Sequence, residues 1–388
     1  MKIGFISSFP PTDRKASSGT NYKIAQALGQ IGELCWIPIK QPRYYRCLEL
    51  AAKGLARLCG RNVCFGHTYF GAKILAESVE ESKFAQCDIL VAFWTGNTLA
   101  YINTKGKPVV YLSDATFPVM VDYYPPFCRL FKWNIRQGTD VERRSLDKAS
   151  AIVLSSDWSA VSAVTDLHQP RKKVHVVEFG ANIDDKDIIQ HSFQFQGHLD
   201  ILFMGVEWGR KGGNVAVKAV RWLNENGIDS TLHIMGIRNL DKRVASLPYV
   251  NYVGFLNKNV DEEYQKFVEI IKKCHLLLLP TKAECAGIAF CEASAYGLPV
   301  FTYETGGIPN YIQNGVNGYM LPLSSSGTAF GCKIKSSIQS GELERMSETA
   351  VGIYRTKLNW GVWQRRMENI ISTIWNCHAN ENTRESAN

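Results

Sequence analysis

The sequence predicts an α/β protein built from two doubly wound parallel sheets. Short apolar runs typical of buried strands alternate with helical segments, at a rhythm of roughly 30 residues for each strand and helix. A charged and polar segment, 184–199, interrupts the alternation, and a second series begins at Ile201. We therefore expect a first domain over 1–183 and a second over 184–355, with the polar segment as a linker.

Composition sets the class of protein. The chain has 388 residues, of which 45% are hydrophobic and 21% are charged, as in ordinary soluble proteins of two or three domains. No apolar run approaches the ~20 residues of a membrane span, and residues 1–6 enter a strand pattern without a signal-peptide layout. We therefore expect a cytoplasmic protein.

The cysteines and the net charge indicate which kinds of ligand and partner the protein can have. The eleven cysteines contain no C-x2-C pair and no zinc-like spacing, so we expect reduced thiols, no disulfide and no metal. The net charge of +8 favours an anionic partner, such as a membrane surface or a phosphorylated substrate. No nucleic-acid motif is recognisable, which argues against nucleic acid.

The first domain opens with a predicted strand over 2–9 and a helix that begins at Gly19. Glycine at a helix start permits close backbone approach, so a phosphate or a sugar could bind there. The dinucleotide fingerprint G-x-G-x-x-G is absent, and no acidic residue ends the next predicted strand, 34–39. Both absences argue against an NAD enzyme.

Residues 43–61 combine arginine and lysine with leucine and tyrosine at helical spacing. Such a segment predicts a basic amphipathic structure of one or two helices. It either lies on an anionic bilayer or is a surface helix with a solvated basic face.

The strand–helix alternation continues to residue 177. We expect helices over 72–84, 138–148 and 158–166 and strands over 88–93, 108–112, 151–154 and 174–177. Asp114 follows one of these strands. By itself, an Asp at this position caps the turn 113–116.

The second domain begins with a strand that ends at Gly205, followed by a glycine-rich loop carrying Arg210 and Lys211. Glycines bring backbone amides close to a ligand, and two adjacent cations at a helix start suit a pyrophosphate. The alternative is a solvated basic loop.

Residues 280–299 form the most informative stretch. A buried strand over 275–279 leads to a loop with Glu284, and a helix begins near Gly287 or Ile288 and ends before Gly297. The helix start predicts an anion site. Glu284 and Glu292 would hold hydroxyl groups on either side of that anion, or be solvated glutamates on a core unit.

The spacing of Glu284 and Glu292, followed by 297–300 (GLPV) and by the G-G-x-P of 306–309, resembles the E-x7-E signature of retaining nucleotide-sugar glycosyltransferases of family 4. That family has the GT-B fold, in which two Rossmann-like domains face a cleft and a C-terminal helix crosses back to the first domain. The resemblance implies such a helix over 356–377, and we expect a disordered tail over 378–388.

The same resemblance implies the reaction. A UDP- or GDP-sugar would be held by the second domain, and a glycan, lipid-linked or protein acceptor by the first. Transfer would retain the anomeric configuration without a metal, in the assembly of cell-surface polysaccharide, glycolipid or glycoconjugate. Family members with membrane acceptors often present a basic surface on the first domain, so the resemblance extends to peripheral membrane contact through 43–61.

Individual roles also follow from the resemblance. Glu284 would contact hydroxyls of the transferred sugar, and Glu292 the nucleotide ribose. Lys211 would bind the leaving phosphate, with Arg210 replacing the family arginine that is Val206 here. Asp114 stands where the family has a histidine that faces the transferred sugar, so it would orient the acceptor or a sugar hydroxyl, unless it only caps its turn. Backbone contacts to the donor are expected at Gly19, Gly205, Gly254, Phe255, Leu256, Ala286, Gly287 and Ile288.

Two other functions fit the same fold. A UDP-sugar 2-epimerase would act on the donor alone, and a non-catalytic partner would only stabilise another transferase. The presence of Glu284, Glu292 and Lys211 favours an enzyme.

Overall fold

The computed structural model describes residues 1–188 and 195–385. The chain divides into two compact units. The first contains Met1–Ala16, Asn21–Val177 and the residues from Trp363 onward, and the second contains Ser17–Thr20 and Glu178–Val362. The residues around Gly19 therefore group with the second unit. The predicted linker 184–199 includes 189–194, which lie outside the described residues.

The first unit is built around a six-stranded parallel sheet with the order β2-β1-β3-β4-β5-β6. Its strands are β1 (Lys2–Ser7), β2 (Glu33–Pro38), β3 (Ile89–Phe93), β4 (Val109–Ser113), β5 (Ala151–Leu154) and β6 (Val174–Val176). Strands β3, β4 and β5 are buried along their whole length, as expected where helices cover both faces of a parallel sheet.

Six helices alternate with these strands: α1 (Thr20–Ile31), α2 (Arg43–Leu58), α3 (Tyr69–Glu77), α4 (Phe117–Met120), α5 (Lys132–Asp147) and α6 (Asp157–Thr165). The helix predicted over 72–84 is wrong at its end, because α3 stops at Glu77. Val79 then pairs with Ile39 in an isolated antiparallel bridge, which takes the backbone out of the helical path. A separate 3₁₀ turn follows at Glu81–Gln86.

The second unit repeats the architecture, with the order β12-β11-β10-β7-β8-β9. Its strands are β7 (His198–Met204), β8 (Asp229–Met235), β9 (Val250–Gly254), β10 (Leu276–Leu279), β11 (Val300–Tyr303) and β12 (Gly318–Leu321). Its helices are α7 (Gly213–Glu225), α8 (Lys242–Ala245), α9 (Asp261–Lys273), α10 (Ile288–Ala295), α11 (Gly327–Gln339) and α12 (Glu342–Thr356). The two doubly wound parallel sheets expected from the sequence are confirmed.

Helix α13 (Trp360–Glu385) returns the chain to the first unit, whose third stretch begins at Trp363. Trp363, Met367 and Ile371 of this helix are fully buried. The helix continues to Glu385, past position 378 where the tail was expected, because no glycine or proline interrupts it after Gly361. The predicted residues 386–388 of that tail lie outside the described part of the chain.

The eleven cysteines are present as thiols. Within residues 1–188 and 195–385, no helix has both the length and the apolar character that crossing a membrane requires.

Candidate functional site

The second sheet changes its direction of growth between β7 and β10. Strands β8 and β9 extend from one side of β7, and β11 and β12 extend from the far side of β10. Strands β7 and β10 pair directly and in parallel, so the loops that leave their carboxyl ends are adjacent. In open parallel sheets such a switch point is the usual ligand site. The two loops here are 205–212 and 280–287.

The loop after β7 depends on glycine at both ends. The Gly205 amide donates to the Met235 carbonyl over 3.0 Å, and a Cβ on Gly205 would lie 2.8 Å from Cγ of Lys211. Gly212 has a φ of +77°, and a Cβ there would lie 2.0 Å from the Pro280 carbonyl oxygen. The loop therefore packs closely on the second loop, and only glycine fits at 212.

Lys211 and Glu284 form an ion pair where the two loops meet. The Lys211 ammonium donates to Oε2 of Glu284, and the two side chains are only 11% and 13% exposed. The Glu284 backbone is held in turn, since its carbonyl accepts from the Gly307 amide over 3.0 Å. An ammonium has three donors, so Lys211 can hold this carboxylate and still reach a ligand oxygen.

Arg210 braces the two loops. Its Nε and Nη2 donate to the Glu207 carboxylate, each over 3.1 Å, and Nη1 donates to the Ala283 carbonyl over 2.7 Å. Nη1 also lies 4.0 Å from Oε2 of Glu284. The sequence analysis did not foresee Glu207 as the partner of Arg210. Val206, at the position of the family arginine, is 62% exposed.

Helix α10 begins beside Glu284. Gly287 precedes its first residue and offers no side-chain cap, and the Ile288 amide closes a tight turn onto the Ala286 carbonyl over 3.1 Å. The helix ends before Gly297, whose φ is +67°. The start near Gly287 or Ile288 and the glycine at the end are confirmed. With no side chain capping its first turn, the positive end of the helix dipole is open to an anion.

Glu292 lies on the buried side of α10, with 4% of its side chain exposed. Its Oε1 accepts a 2.6 Å hydrogen bond from the ammonium of Lys258. Sequence reasoning missed Lys258, because the two residues are 34 positions apart and only the fold joins them. The one available signal was a lysine two residues after the predicted nucleobase loop.

That loop follows β9. Gly254 has a φ of +85°, and its carbonyl accepts from the Gly236 amide over 2.8 Å. Phe255 and Leu256 are half-buried, and the Arg238 guanidinium lies 3.7 Å from the centre of the Phe255 ring. Arg238 is a second residue that the sequence analysis missed.

The turn at Gly19 groups with the same unit. Gly19 has a φ of +94° and ends a 3₁₀ turn immediately before α1, so the predicted helix start is one residue early. The Asn182 amide nitrogen donates to the Ser18 carbonyl and to the Thr20 hydroxyl, both over 3.0 Å.

Asp114 lies in the first unit, after β4. Its Oδ1 accepts from the indole nitrogen of Trp94 over 2.8 Å, and its backbone carbonyl accepts from Ser159 over 2.8 Å. Trp94 itself has a φ of +54° and stacks on Phe93. The Asp114 carboxylate is therefore tied to Trp94, just after the neighbouring strand β3, and the Asp114 backbone carbonyl is tied to helix α6.

A buried carboxyl supports the same region of the first unit. Glu142 of α5 accepts from the Tyr111 hydroxyl over 2.9 Å and from the Phe117 amide. Burial raises the pKa of Glu142 to about 7, although these two donors oppose the rise. Glu142 was not foreseen from the sequence, because a charged residue in a helix pattern is ordinarily on the solvent side.

The acidic segment 185–187 (DKD) is held by hydrogen bonds from protein side chains. The Asp187 carboxylate accepts from the Tyr264 hydroxyl over 3.0 Å, and its carbonyl accepts from Tyr296 over 2.7 Å. Within residues 1–188 and 195–385, no group of three or more histidine, cysteine or acidic side chains is arranged to hold a metal.

The part of the chain that matches a known protein family lies in the unit that carries this site. A family model described as glycosyl transferases group 1 matches residues 184–351, which include both loops and α10. Over this segment the chain is similar to that family. The matched segment contains every predicted donor-site residue except Gly19.

A curated relative is similar over about half of the chain. The amylovoran biosynthesis glycosyltransferase AmsK of Erwinia amylovora is 23% identical over 218 residues, which are 53% of this chain and 52% of that protein. The chain thus spans about half the length of this relative.

Solved structures match nearly the whole chain. Anabaena HepE, solved in complex with UDP, is 14% identical, with a TM-score of 0.66 over 96% of this chain and 100% of that chain. A second HepE structure contains UDP-glucose. Sucrose-phosphate synthase of Thermosynechococcus elongatus is 13% identical, with a TM-score of 0.66 over 97% of this chain and 99% of that chain. The predicted GT-B fold is confirmed.

Proposed function

We propose that this protein is a retaining glycosyltransferase that moves a sugar from a UDP- or GDP-linked donor to an acceptor hydroxyl. The buried pair of Lys211 and Glu284 at the switch point carries the proposal. It sets a cation suited to a leaving phosphate beside a carboxylate suited to sugar hydroxyls. The start of α10 adds a dipole with no side-chain cap at the same place.

The donor contacts follow from these positions. Glu284 accepts hydrogen bonds from hydroxyls of the transferred sugar, and Glu292 from those of the ribose. The pyrophosphate lies against Lys211 and the segment 286–288, and the base lies at 254–256. HepE, which shares the fold, binds UDP and UDP-glucose, and this supports a nucleotide-sugar donor here.

The reaction needs no enzyme nucleophile. The bond between the anomeric carbon and the phosphate oxygen breaks, and the acceptor oxygen bonds to the same face of that carbon. The proton of the acceptor hydroxyl passes to the departing phosphate. Lys211 and the N-terminus of α10 stabilise the negative charge that grows on this phosphate, while Arg210 keeps the two loops together. These fixed positive groups take the place of a metal ion in our proposal.

We assign the acceptor to the first unit, with Asp114 as the residue that orients its hydroxyl. The proposed acceptor is a glycan, a lipid-linked sugar or a protein. The proposed role is the assembly of cell-surface polysaccharide, glycolipid or glycoconjugate.

Helix α2 supports a peripheral membrane location on the cytoplasmic side. Tyr44, Leu48 and Leu55 lie on one side of the helix and are 55%, 37% and 67% exposed, and Leu58 is 85% exposed. The four arginine residues of 43–61 are also exposed. An exposed apolar strip on a helix that also carries exposed cations suits an anionic bilayer.

Liposome sedimentation tests this location. The wild-type protein should bind vesicles that contain phosphatidylglycerol, and the double variant L55E/L58E should not. An equal amount of wild type and variant on the vesicles would remove the membrane from the proposal.

Calorimetry and a transfer assay test the main proposal. The full chain should bind UDP or GDP, and Glu284→Ala should abolish transfer while nucleotide affinity is largely kept. Glu292→Ala should weaken nucleotide binding. Absence of nucleotide binding at millimolar concentration would refute the proposal, and equal loss of affinity in the two variants would refute the assigned roles.

A further inference from the structure

The ion pair of Lys258 and Glu292 continues as a chain of contacts that ends at the Gly19 turn. Besides its 2.6 Å bond to Oε1 of Glu292, the Lys258 ammonium lies 3.4 Å from the Asn182 carbonyl oxygen. Asn182 is 5% exposed, and its side chain holds Ser18 and Thr20, the two neighbours of Gly19. The proposed ribose carboxylate is thus connected to a turn far away in sequence.

Lys258 is fixed in place by its surroundings. Its ammonium lies 4.2 Å from the centre of the Phe267 ring, and 17% of the side chain is exposed. A cation over an aromatic face and against a carboxylate has two attractive partners. Moving it would cost both contacts, so its position responds to the position of Glu292.

One oxygen of Glu292 is left for a ligand. Lys258 binds Oε1, and in the described part of the chain no protein donor contacts Oε2. A carboxylate can accept on both oxygens at once, so Oε2 can accept from ribose hydroxyls while Oε1 stays on Lys258. Nucleotide binding would then fix the carboxylate and, with it, the ammonium.

Asn182 is fixed on its other side as well. Its Oδ1 accepts from the Trp360 indole over 3.2 Å, while both hydrogens of its Nδ2 have acceptors at 18 and 20. The residue thus connects Lys258 to the turn through its backbone carbonyl and its side chain. Gly19 has a φ of +94°, and these hydrogen bonds tie both of its neighbours, Ser18 and Thr20, to Asn182.

We propose that Lys258 is a positioning residue that couples nucleotide binding at Glu292 to the order of the Gly19 turn. This coupling rests on the nucleotide binding proposed above. Through this coupling, an occupied donor site in the second unit would order the residues that precede α1.

Calorimetry and hydrogen exchange on the full chain test the coupling, with UDP and GDP as the probes. In wild type, the nucleotide that binds should slow amide exchange in peptides covering 16–22. Lys258→Met should lower nucleotide affinity about tenfold to a hundredfold, the usual size of a coupling between two sites, because Glu292 loses the ammonium that orients its carboxylate. At saturating nucleotide, this variant should still lack the protection of 16–22.

Two further variants keep the test specific. Lys258→Arg preserves the cation and should restore both affinity and protection. Lys333 also pairs with a carboxylate, that of Glu342 at 3.6 Å, and lies 3.5 Å from the centre of the Tyr319 ring. Lys333→Met removes a matched lysine away from the site and should behave as wild type.

The outcomes separate the two proposals. Failure of wild type to bind either nucleotide would overturn both the proposed function and the coupling. Binding by wild type, together with equal protection of 16–22 in wild type and in Lys258→Met, would overturn the coupling alone. Equal losses in Lys333→Met and Lys258→Met would also overturn it, because they would show a general loss of stability.

Discussion

A double-mutant cycle on Lys211 and Glu284 tests the central feature of the site. Lys211→Met and Glu284→Gln each remove one charge and leave the other in a setting where the side chains are only 11% and 13% exposed. Breaking a buried pair from one side costs about 3 kcal/mol. The double variant removes both charges, so it should be more stable than the sum of the two single changes predicts.

The expected coupling energy is about 2 kcal/mol, well above the ~0.5 kcal/mol within which independent sites add. Urea unfolding followed by circular dichroism would measure the four free energies of unfolding. Arg243 and Asp241 provide a control cycle, because their 3.2 Å pair is 91% and 51% exposed and should couple weakly. Additive effects at Lys211 and Glu284, equal to those of the control, would refute the buried pair as described.

Three further outcomes are expected. Gly212→Ala should destabilise the protein and lower nucleotide affinity, because its Cβ would lie 2.0 Å from the Pro280 carbonyl oxygen. Urea unfolding and calorimetry would measure the two effects. Gly209→Ala is the control, since a Cβ at Gly209 meets no atom within 4 Å. The raised pKa of Glu142, about 7, means that the folded state holds this proton more tightly than the unfolded state; stability from this group is full below about pH 4.5 and is lost as the pH rises through 7. Glu142→Gln should flatten that decline in urea unfolding at pH 5 and 7.5, and an unchanged slope would contradict the assignment. Asp114→Asn should lower kcat and leave UDP or GDP affinity unchanged in calorimetry, and a large loss of nucleotide affinity would count against an acceptor role.

The elements of the donor site could be predicted because their signals are local. An apolar run before Pro280, a glycine at 287 and another at 297 are enough to define a strand, a loop and a helix. The glycines around Lys211 predicted the loop 205–212 in the same way. The loops 205–212 and 280–287 are adjacent because of the strand order, and the alternation of strands and helices alone does not predict that order.

The partners of the charged residues could not be predicted, because they come from distant parts of the chain. Lys258 reaches Glu292 on helix α10, and Arg238 reaches the ring of Phe255, and no spacing rule connects either pair. The end of α3 was missed for a similar reason, since a single bridge from Val79 to Ile39 outweighs a continuous helical pattern. Helix propensity is a weak guide wherever a tertiary contact of this kind determines the residue at which a helix ends.

The first unit is assembled from three stretches of chain, the last of which begins at Trp363. During synthesis, a ribosome will have released the whole of Glu178–Val362 before the buried side chains Trp363, Met367 and Ile371 emerge. The first unit, whose synthesis begins first, can therefore be completed only after the second unit has been synthesised. Truncating the chain before Trp363 would leave an open apolar surface on the first unit, and a fragment ending at Val177 would aggregate rather than fold as an isolated domain.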